Sequence, residues 1–362
     1  MVAARDKYLR EATAHIADDE EREDAIATRR TKLVALGSAA THSATKKAAQ
    51  IAGVRYRAVP VHARDGYKMT GAELRRTVDA LHAKGLEVFY VTATLGTTDT
   101  CAIDDLDSIA AELSAIAPAT LTPEQKRAGQ GEIWVHVDAA YAGAALVCPE
   151  YQHLTPVLAR FHSYNTNLHK WLLVNFDCSV LYVRDRRWLT DALSVSLAIL
   201  RNAHTDSGLV TDYRDWQIPF GRRFRSLKVW FVVRSYGVAG LRAHVRKHVR
   251  LAEDFAAMLR TRPDLFEIVT GPRFALTVFK LKGKDRGEGQ GQAVDTLEEQ
   301  NALTKKAYEH VLADGQIFLS STVVGGVFAI RHCPATPFVE AHHVKKHFEI
   351  LVAAAEKMFT DA

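Results

Sequence analysis

Lys170 stands between His169 and Trp171 in a short motif that could perform carbonyl chemistry. The motif lies between an apolar run that ends in Asp138 and a second apolar run, Cys178–Val183. Because strand-like runs flank it, we expect Lys170 to be partly removed from water, which lowers the pKa of an amine and favours imine formation with an aldehyde. The alternative is a surface lysine whose aliphatic stem packs on its neighbours while the amine stays in water.

Two further residues favour a pyridoxal phosphate (PLP) site around this lysine. PLP accepts an electron pair only while its pyridine nitrogen is protonated, which requires a carboxylate directed at the ring, and a lysine binds its aldehyde. Asp138 follows the run Ile133–Val137 and could supply the carboxylate. His42 follows the run Leu33–Leu36 and is placed to stack on the ring. Backbone N–H groups at helix starts, with polar side chains, would bind the phosphate.

Apolar runs of strand length alternate with amphipathic stretches in the first half of the chain. Strands separated by helices need crossover connections, so the pattern predicts a mostly parallel sheet with helices on both faces. Ligands of such sheets collect at the carboxyl ends of strands, where Asp138 lies. The predicted strands are Leu33–Leu36, Tyr56–Val61, Val88–Ala93, Ile133–Val137, Phe161–Tyr164 and Ser179–Val183, and the predicted helices are Ser43–Ala52, Gly71–Ala83 and Leu106–Ile116.

After Arg223 the pattern changes to that of a smaller α+β lobe. Long helices and a few strand-like runs are predicted at Phe224–Tyr236, Leu241–Arg260, Phe266–Val269, Ala275–Leu281, Thr296–Ala313, Ile317–Ile330 and Val339–Phe359. We interpret Thr120–Gly131 and Gly283–Gln292 as exposed loops, since both are rich in glycine or polar residues. A chain of 362 residues is long enough for two domains, and we predict a large domain over 1–240 and a small one over 241–362.

Charge and cysteine content restrict the partners and the compartment. The net charge is +5, and the 47 basic residues are interspersed with 42 acidic ones, so no basic arm indicates nucleic acid. The four cysteines are scattered and form no CxxC pair, which favours a reducing, cytoplasmic setting. No run approaches the roughly 18–20 apolar residues of a membrane helix, so we predict neither a membrane anchor nor a signal peptide.

Three segments resemble the group II PLP-dependent decarboxylases, and most of all the aromatic-L-amino-acid decarboxylases. These segments are His136–Gly143, Asn167–Cys178 and Asp212–Lys228. The resemblance implies fold type I, the PLP-dependent transferase-like fold, with a three-layer α/β/α large domain, a mostly parallel sheet and a small C-terminal α+β domain. It implies decarboxylation of an aromatic L-amino acid to the amine and CO₂ through a Lys170 aldimine and a quinonoid. It also implies a cytoplasmic homodimer.

Carried over by position, the resemblance assigns roles to individual residues. Lys170 would be the internal-aldimine lysine, and Asp138 would hold the pyridinium nitrogen. His42 would stack on the cofactor ring, and Ala140 would lie near it. The remaining contacts to pyridoxal 5'-phosphate would come from Thr94, near the cofactor, and from Asn167 and His169 on the phosphate side. Lys170, His42 and Asp138 are the predicted catalytic residues.

Two departures from the family pattern leave the reaction outcome open. Family members carry an N-terminal arm and a Ser-containing phosphate loop before the point that matches Met1. Ser194–Asp206 matches the family's mobile catalytic loop, but Ile199 stands where decarboxylases have the tyrosine that protonates the carbanion. In relatives, replacing that tyrosine diverts the carbanion towards oxygen and yields an aldehyde, ammonia and peroxide. The alternatives to decarboxylation are therefore decarboxylation-dependent oxidative deamination and a truncated, catalytically silent paralogue.

Other polar groupings offer weaker alternatives. Two histidine pairs have i,i+4 spacing on predicted helices, His244 with His248 and His343 with His347. Neither has the glutamate of an H-E-x-x-H frame or a neighbouring cysteine, so we expect solvated helix faces and no metal. His136 and Asp138 alternate along one strand and could form a metal pair if the strand is regular. Gly221–Arg225 could bind an anion or begin a helix that packs on a partner subunit.

Overall fold

A six-stranded sheet forms the centre of the larger part of the molecule. The computed structural model describes residues 1–116, 132–195, 210–283 and 296–360. The strands lie in the order β2-β1-β3-β4-β5-β6 and all run parallel except β6, which is antiparallel to β5. They are β1 (Leu33–Ser38), β2 (Arg55–Val59), β3 (Glu87–Thr94), β4 (Trp134–Asp138), β5 (Ser163–Asn167) and β6 (Ser179–Val183).

Helices cover both faces of this sheet, as the alternating pattern predicted. Along β1, Leu33 and Ala35 join one core while Val34 and Leu36 join the other, because successive side chains of a strand point to opposite faces. The helices of this part are α1 (Val2–Ala12), α2 (Asp19–Arg30), α3 (Ser43–Ile51), α4 (Gly71–His82), α5 (Leu106–Ile116), α6 (Leu168–Trp171) and α7 (Arg187–Leu193). The core that contains Leu33 and Ala35 takes apolar side chains from α1 and α3, and the core that contains Val34 and Leu36 takes them from α4 and α5.

A second, antiparallel sheet lies in the C-terminal part, in the order β7-β8-β10-β9. Its strands are β7 (Phe266–Arg273), β8 (Leu276–Leu281), β9 (Ser320–Val324) and β10 (Val327–His332), and its helices are α8 (Ser226–Arg260), α9 (Leu297–Asp314) and α10 (Ala341–Thr360). Phe255, Phe279 and Ile330 are fully buried between this sheet and the helices. Mostly parallel and antiparallel sheets in one chain confirm the predicted fold class.

Several predicted boundaries differ from the structure for identifiable reasons. The helices predicted on either side of residue 240 are assigned as one element, α8, whose path breaks at Gly237, where φ is 60° and only glycine is unstrained. The single strand region predicted at Ile317–Ile330 is a hairpin, β9 and β10. The predicted strand Phe161–Tyr164 lies two residues further on as β5, whose sequence is polar because its carboxyl end faces the functional cavity described below.

The domain boundary at 240/241 stays a prediction. Val245 of α8, Leu276 of β8 and Ala329 of β10 pack in the same core as the six-stranded sheet, so apolar contacts cross the proposed boundary. The predicted loop Thr120–Gly131 and nearly all of Gly283–Gln292 lie outside the described residues. In the described part of the chain, no helix is both long and apolar enough to span a membrane.

Candidate active site

A cavity of about 470 Å³ opens at the carboxyl ends of β3, β4 and β5. This is the place where parallel α/β sheets bind ligands. Six of the seven predicted site residues line it: His42, Thr94, Asp138, Ala140, Asn167 and Lys170. The chain thereby brings together residues that lie far apart in sequence. The seventh, His169, is not among the lining residues.

Asp138 is the last residue of β4 and directs its carboxylate to the cavity. One carboxylate oxygen accepts the N–H of Ala140 at 3.0 Å, which holds the side chain in place and leaves the second oxygen for a ligand. His136 lies two residues earlier, and its ring nitrogens contact Ser163 Oγ and Asn165 Oδ1, both at 2.9 Å. Burial lowers the pKa of His136 to about 4, so its imidazole is neutral at pH 7.

Lys170 lies in the one-turn helix α6, directly after β5. Its side chain is exposed in the single chain while that of Trp171, the next residue, is buried. The expected removal of Lys170 from water is therefore wrong for this chain alone: α6 turns the lysine to the open side of the cavity and the indole to the core.

His42 is the N-cap of α3, and its Nδ1 accepts the N–H of Ala44 at 3.2 Å. The hydrogen of the neutral imidazole is therefore on Nε2. The N-cap contact restrains one edge of an otherwise exposed ring that lines the cavity. The rotation of the ring is limited by this contact, which suits a residue that must lie flat against a ligand.

Thr94 and Asn167 each direct a buried oxygen that lacks a hydrogen-bond partner within the described residues, Thr94 Oγ1 and Asn167 Oδ1. Buried polar atoms are nearly always paired, so two unpaired ones in a cavity wall indicate that a polar ligand completes them. Together with the amine of Lys170 and the carboxylate of Asp138, these atoms fit the aldehyde, the ring nitrogen and the polar substituents of PLP.

Sequence reasoning missed Asp104, which holds the Thr94 corner of the cavity. Its buried carboxylate accepts the N–H of Met69 and the N–H of Thr94, both at 2.7 Å. Burial raises the pKa of Asp104 to about 7, although both hydrogen bonds act to lower it. The available signal was an aspartate that closely follows a buried apolar strand.

Sequence reasoning also missed Arg331, which reaches the cavity from β10 of the second sheet, beside Leu276 and Cys333. Its Nη1 donates to Ser320 Oγ at 2.8 Å, and its Nε is buried without a partner. Within the described part of the chain, no carboxylate pairs with this guanidinium. The available signal was an arginine directly after the apolar run Val327–Ile330 of this strand.

His169 contacts the segment that leads into β6. Its Nδ1 accepts the N–H of Cys178 at 2.9 Å, and its ring packs edge-on against Phe176 with centroids 4.8 Å apart. The same Nδ1 lies 3.0 Å from the carbonyl oxygen of Cys178, so both of these contacts use one ring nitrogen. The predicted phosphate contact of His169 stays a prediction.

The predicted solvation of the histidine pairs is wrong for His248. Its side chain is fully buried, and its Nδ1 accepts the indole N–H of Trp171 at 2.9 Å. His347 is half-buried and contacts Nε2 of His332 at 3.0 Å. Among the described residues, no cluster of three or more histidine, cysteine or acidic side chains could hold a metal ion. Ile199 lies outside the described residues.

The fold and the cavity together are those of fold type I PLP enzymes, and the chain belongs to the pyridoxal-dependent decarboxylase family. Residues 1–282 match the family described as "Pyridoxal-dependent decarboxylase conserved domain". PLP is the cofactor of this family. Its lysine, carboxylate and histidine requirements correspond to the side chains gathered in the cavity.

Within the family, the chain is similar to enzymes of aromatic amino acids. It is 39% identical over 350 residues to the aromatic-L-amino-acid decarboxylase of Rattus norvegicus, a match that covers 96% of this chain and 65% of that protein. It resembles the solved structure of Oryza sativa TDC with PLP and tryptamine with a TM-score of 0.85 and 35% identity, covering 99% of this chain and 67% of that one.

A solved aldehyde synthase is also similar. Rhodiola rosea 4-hydroxyphenylacetaldehyde synthase matches with a TM-score of 0.78 and 31% identity, over 98% of this chain and 66% of that one. The chain spans about 65% of the length of the curated decarboxylases that it matches.

Proposed function

We propose that this chain is a PLP-dependent decarboxylase that converts an aromatic L-amino acid to the amine and CO₂. The observation that carries the proposal is the convergence of Lys170, Asp138 and His42 on one cavity at the carboxyl ends of parallel strands. The aromatic substrate class is supported by relatives that act on such amino acids.

Each of the three side chains has a role that its position supports. When bound, PLP supplies an aldehyde that takes up the substrate amine and a ring that accepts the electron pair left by CO₂. Asp138 would hold a proton on the ring nitrogen through the carboxylate oxygen that Ala140 leaves free. His42 would lie against the ring, restrained by its N-cap contact. Lys170 would bind the aldehyde and yield it to the substrate amine.

The phosphate and hydroxyl groups of the cofactor need polar partners, and the cavity offers several. Thr94 Oγ1 can donate to an oxygen of the cofactor, and the unpaired Oδ1 of Asn167 can accept from a cofactor hydroxyl. His169 would contact the phosphate through Nε2, the ring nitrogen that Cys178 does not occupy. Ala140 leaves space next to Asp138 where a larger side chain would crowd a ring.

We assign the carboxylate of the substrate to Arg331. An arginine in a cavity wall, with an unpaired Nε and no acidic partner among the described residues, favours a carboxylate ligand. Aromatic amino acids carry one carboxylate, so Arg331 would select amino acids over the corresponding amines. Its bond to Ser320 restrains the guanidinium before the substrate arrives.

The decisive test of the proposed function is spectroscopic and chemical. Purified protein given PLP should develop an absorption band near about 420 nm, and Lys170→Ala should abolish it. Lys228→Ala removes a lysine that donates to backbone oxygens of Asn175 and Asp177 instead, and it should keep the band. If saturating PLP gives no band in the unsubstituted chain, the proposal is wrong.

A second outcome of the same cavity chemistry is favoured by Ile199 and by the aldehyde synthases among the relatives. Isoleucine has no proton to donate, so the carbanion could react with oxygen and yield an aldehyde, ammonia and peroxide. Supplying tyrosine, DOPA or tryptophan and measuring amine against peroxide separates the two products. Stoichiometric amine without peroxide would exclude oxidative deamination, and a band without either product would indicate a silent paralogue.

We further propose that two copies of the chain associate through an exposed apolar surface, defined by Phe176, Phe224, Leu227, Trp230 and Phe231. Phe176 is 83% exposed, Phe224 75% and Trp230 57%, which is unusual for large apolar side chains. Arg225 binds the carboxylate of Asp177 at 2.7 Å and Lys228 donates to the carbonyl of the same residue, which holds the segment of Phe176 against the start of α8.

Light scattering tests this association. The unsubstituted protein should be a dimer, and Trp230→Glu should be a monomer, because a charge would be buried in the interface. Phe338→Glu changes an equally apolar residue outside that surface, 87% exposed, and should remain dimeric. A monomeric parent protein would contradict the proposal. We place the enzyme in the cytoplasm, a proposal supported by its four free cysteines.

A further inference from the structure

Three aromatic side chains form a column that leads from the cavity into the core: Tyr141 lines the cavity, and Trp171 and His248 are buried behind it. The rings of Tyr141 and Trp171 stack with centroids 4.8 Å apart and planes 9° from parallel. The plane of His248 lies 8° from that of the indole, and the indole N–H donates to His248 Nδ1 at 2.9 Å. Trp171 is 1% exposed and His248 is 0% exposed, so water does not compete for this bond.

The column joins the two segments that carry the main site residues. Trp171 directly follows Lys170, and Tyr141 lies three residues after Asp138. At its other end, the hydroxyl of Tyr141 donates to the carbonyl of Phe274 at 2.7 Å. The column is thus held at one end by α8 and at the other by the segment between β7 and β8.

Lys170 depends on such a support because α6 is one turn long. A single helical turn is not stable by itself, since the first hydrogen bonds do not offset the entropy lost on ordering the backbone. The bond from Leu172 N–H to the carbonyl of Leu168, at 3.0 Å, closes this turn. Contacts outside the turn must therefore orient α6: His169 contacts Cys178, and Trp171 is the buried side chain that anchors the turn in the core.

The bond to His248 has a defined direction and protonation state. Burial lowers the pKa of His248 to about 4, with smaller contributions from His244 and Lys247, so the ring is neutral at pH 7 and Nδ1 can accept. An indole N–H buried without a partner would be unfavourable, so the indole has one preferred rotation in its pocket.

We propose that His248 is a positioning residue for the reactive lysine. By accepting the indole N–H of Trp171 it fixes α6, and through the Tyr141 ring it keeps the Lys170 segment in register with the Asp138 segment. This role rests on the proposed function, since it assumes that Lys170 binds the cofactor aldehyde.

Three variants isolate the role. His248→Leu removes the acceptor while keeping the site filled. His248→Asn restores an acceptor, because Oδ1 of asparagine occupies nearly the place of histidine Nδ1. His162→Leu is the matched control, because His162 is also a buried histidine, 4% exposed, whose Nδ1 accepts an N–H, that of Val135 at 3.1 Å, and whose ring stacks on Trp134. Unlike His248, it lies at the amino ends of β4 and β5, away from the cavity.

The first measurement needs no cofactor. In a double-mutant cycle of Trp171→Phe and His248→Leu, followed by equilibrium unfolding, the two changes should be coupled by about five- to tenfold in the unfolding equilibrium constant, as for a buried hydrogen bond. Independent effects of the two substitutions would overturn the inference.

The second measurement uses the PLP-loaded protein. His248→Leu should lose at least half of the visible circular dichroism of the bound cofactor, His248→Asn should recover it, and His162→Leu should keep it despite a similar loss of stability. Equal spectra in His248→Leu and the parent, or equal losses in His248→Leu and His162→Leu, would overturn the positioning role while leaving the proposed function intact. A parent protein without any cofactor band would instead refute the proposed function, and this role with it.

Discussion

Two fully buried histidines, His332 and His248, predict that the fold loses stability in mild acid. They are 1% and 0% exposed. Burial lowers the pKa of His332 to about 3, with a further contribution from His347, and lowers that of His248 to about 4. Both rings are therefore neutral in the folded protein over most of the acidic range. Each lies in a different core of the molecule.

The size of the effect follows from proton linkage. A histidine in the unfolded chain titrates near pH 6.5. Below that pH the unfolded chain binds protons that the folded chain does not, so the stability present above pH 6.5 is lost as the pH falls towards the folded pKa. Each histidine removes up to about 1.4 kcal/mol per pH unit. Between pH 6.5 and 4.5 the two together remove about 5 kcal/mol, against a typical total of about 5–15 kcal/mol.

Urea unfolding at pH 7, 6 and 5, at one protein concentration, measures this loss. The free energy of unfolding should fall steeply with decreasing pH in the parent protein. His332→Gln cannot titrate, so its slope should be smaller by about 1.4 kcal/mol per pH unit at the acidic end, whatever its stability at pH 7. His332→Gln and His248→Gln together should reduce the slope by twice that amount. A variant with the parent's slope would refute the assignment of a buried neutral imidazole.

Three further predictions concern the cavity and the residues that support it. Gly143→Ala should lower stability by about 1–3 kcal/mol and weaken PLP binding in a titration. The new Cβ would lie 2.5 Å from the hydroxyl of Tyr164, behind the Asp138 segment. Normal PLP affinity in this variant would contradict the prediction. Asp104→Asn should lower the free energy of unfolding by about 1–3 kcal/mol in urea, because an amide leaves one of the two backbone N–H donors unpaired. An unchanged unfolding midpoint would contradict this prediction. Arg331→Met should raise KM for the amino acid by about 10- to 100-fold and leave the affinity for the product amine unchanged. Equal losses for the amino acid and the amine would show that Arg331 does not bind the carboxylate.

Much of the fold was predictable because its strands and helices follow local patterns. The alternation of apolar runs with amphipathic stretches correctly placed a mostly parallel sheet covered on both faces. The errors arose where tertiary context overrides pattern. β5 is polar because it borders the cavity, so an apolar run placed it two residues too early. His248 was expected on a solvated helix face because its histidine pair lacks the further ligands of a metal site, yet it lies in the core beside Trp171.

Residue types by themselves determined which chemistry the chain could perform: a lysine, an aspartate and a histidine, each following a strand-like run, indicate PLP. Only the tertiary structure decided which polar groups meet. It brought Arg331 to the cavity wall, placed Asp104 against the backbone of Thr94, left His169 out of the lining and exposed Lys170. The physical reason is that strand order, crossovers and the packing of the second sheet on the first set distances between residues far apart in sequence, which no local pattern encodes.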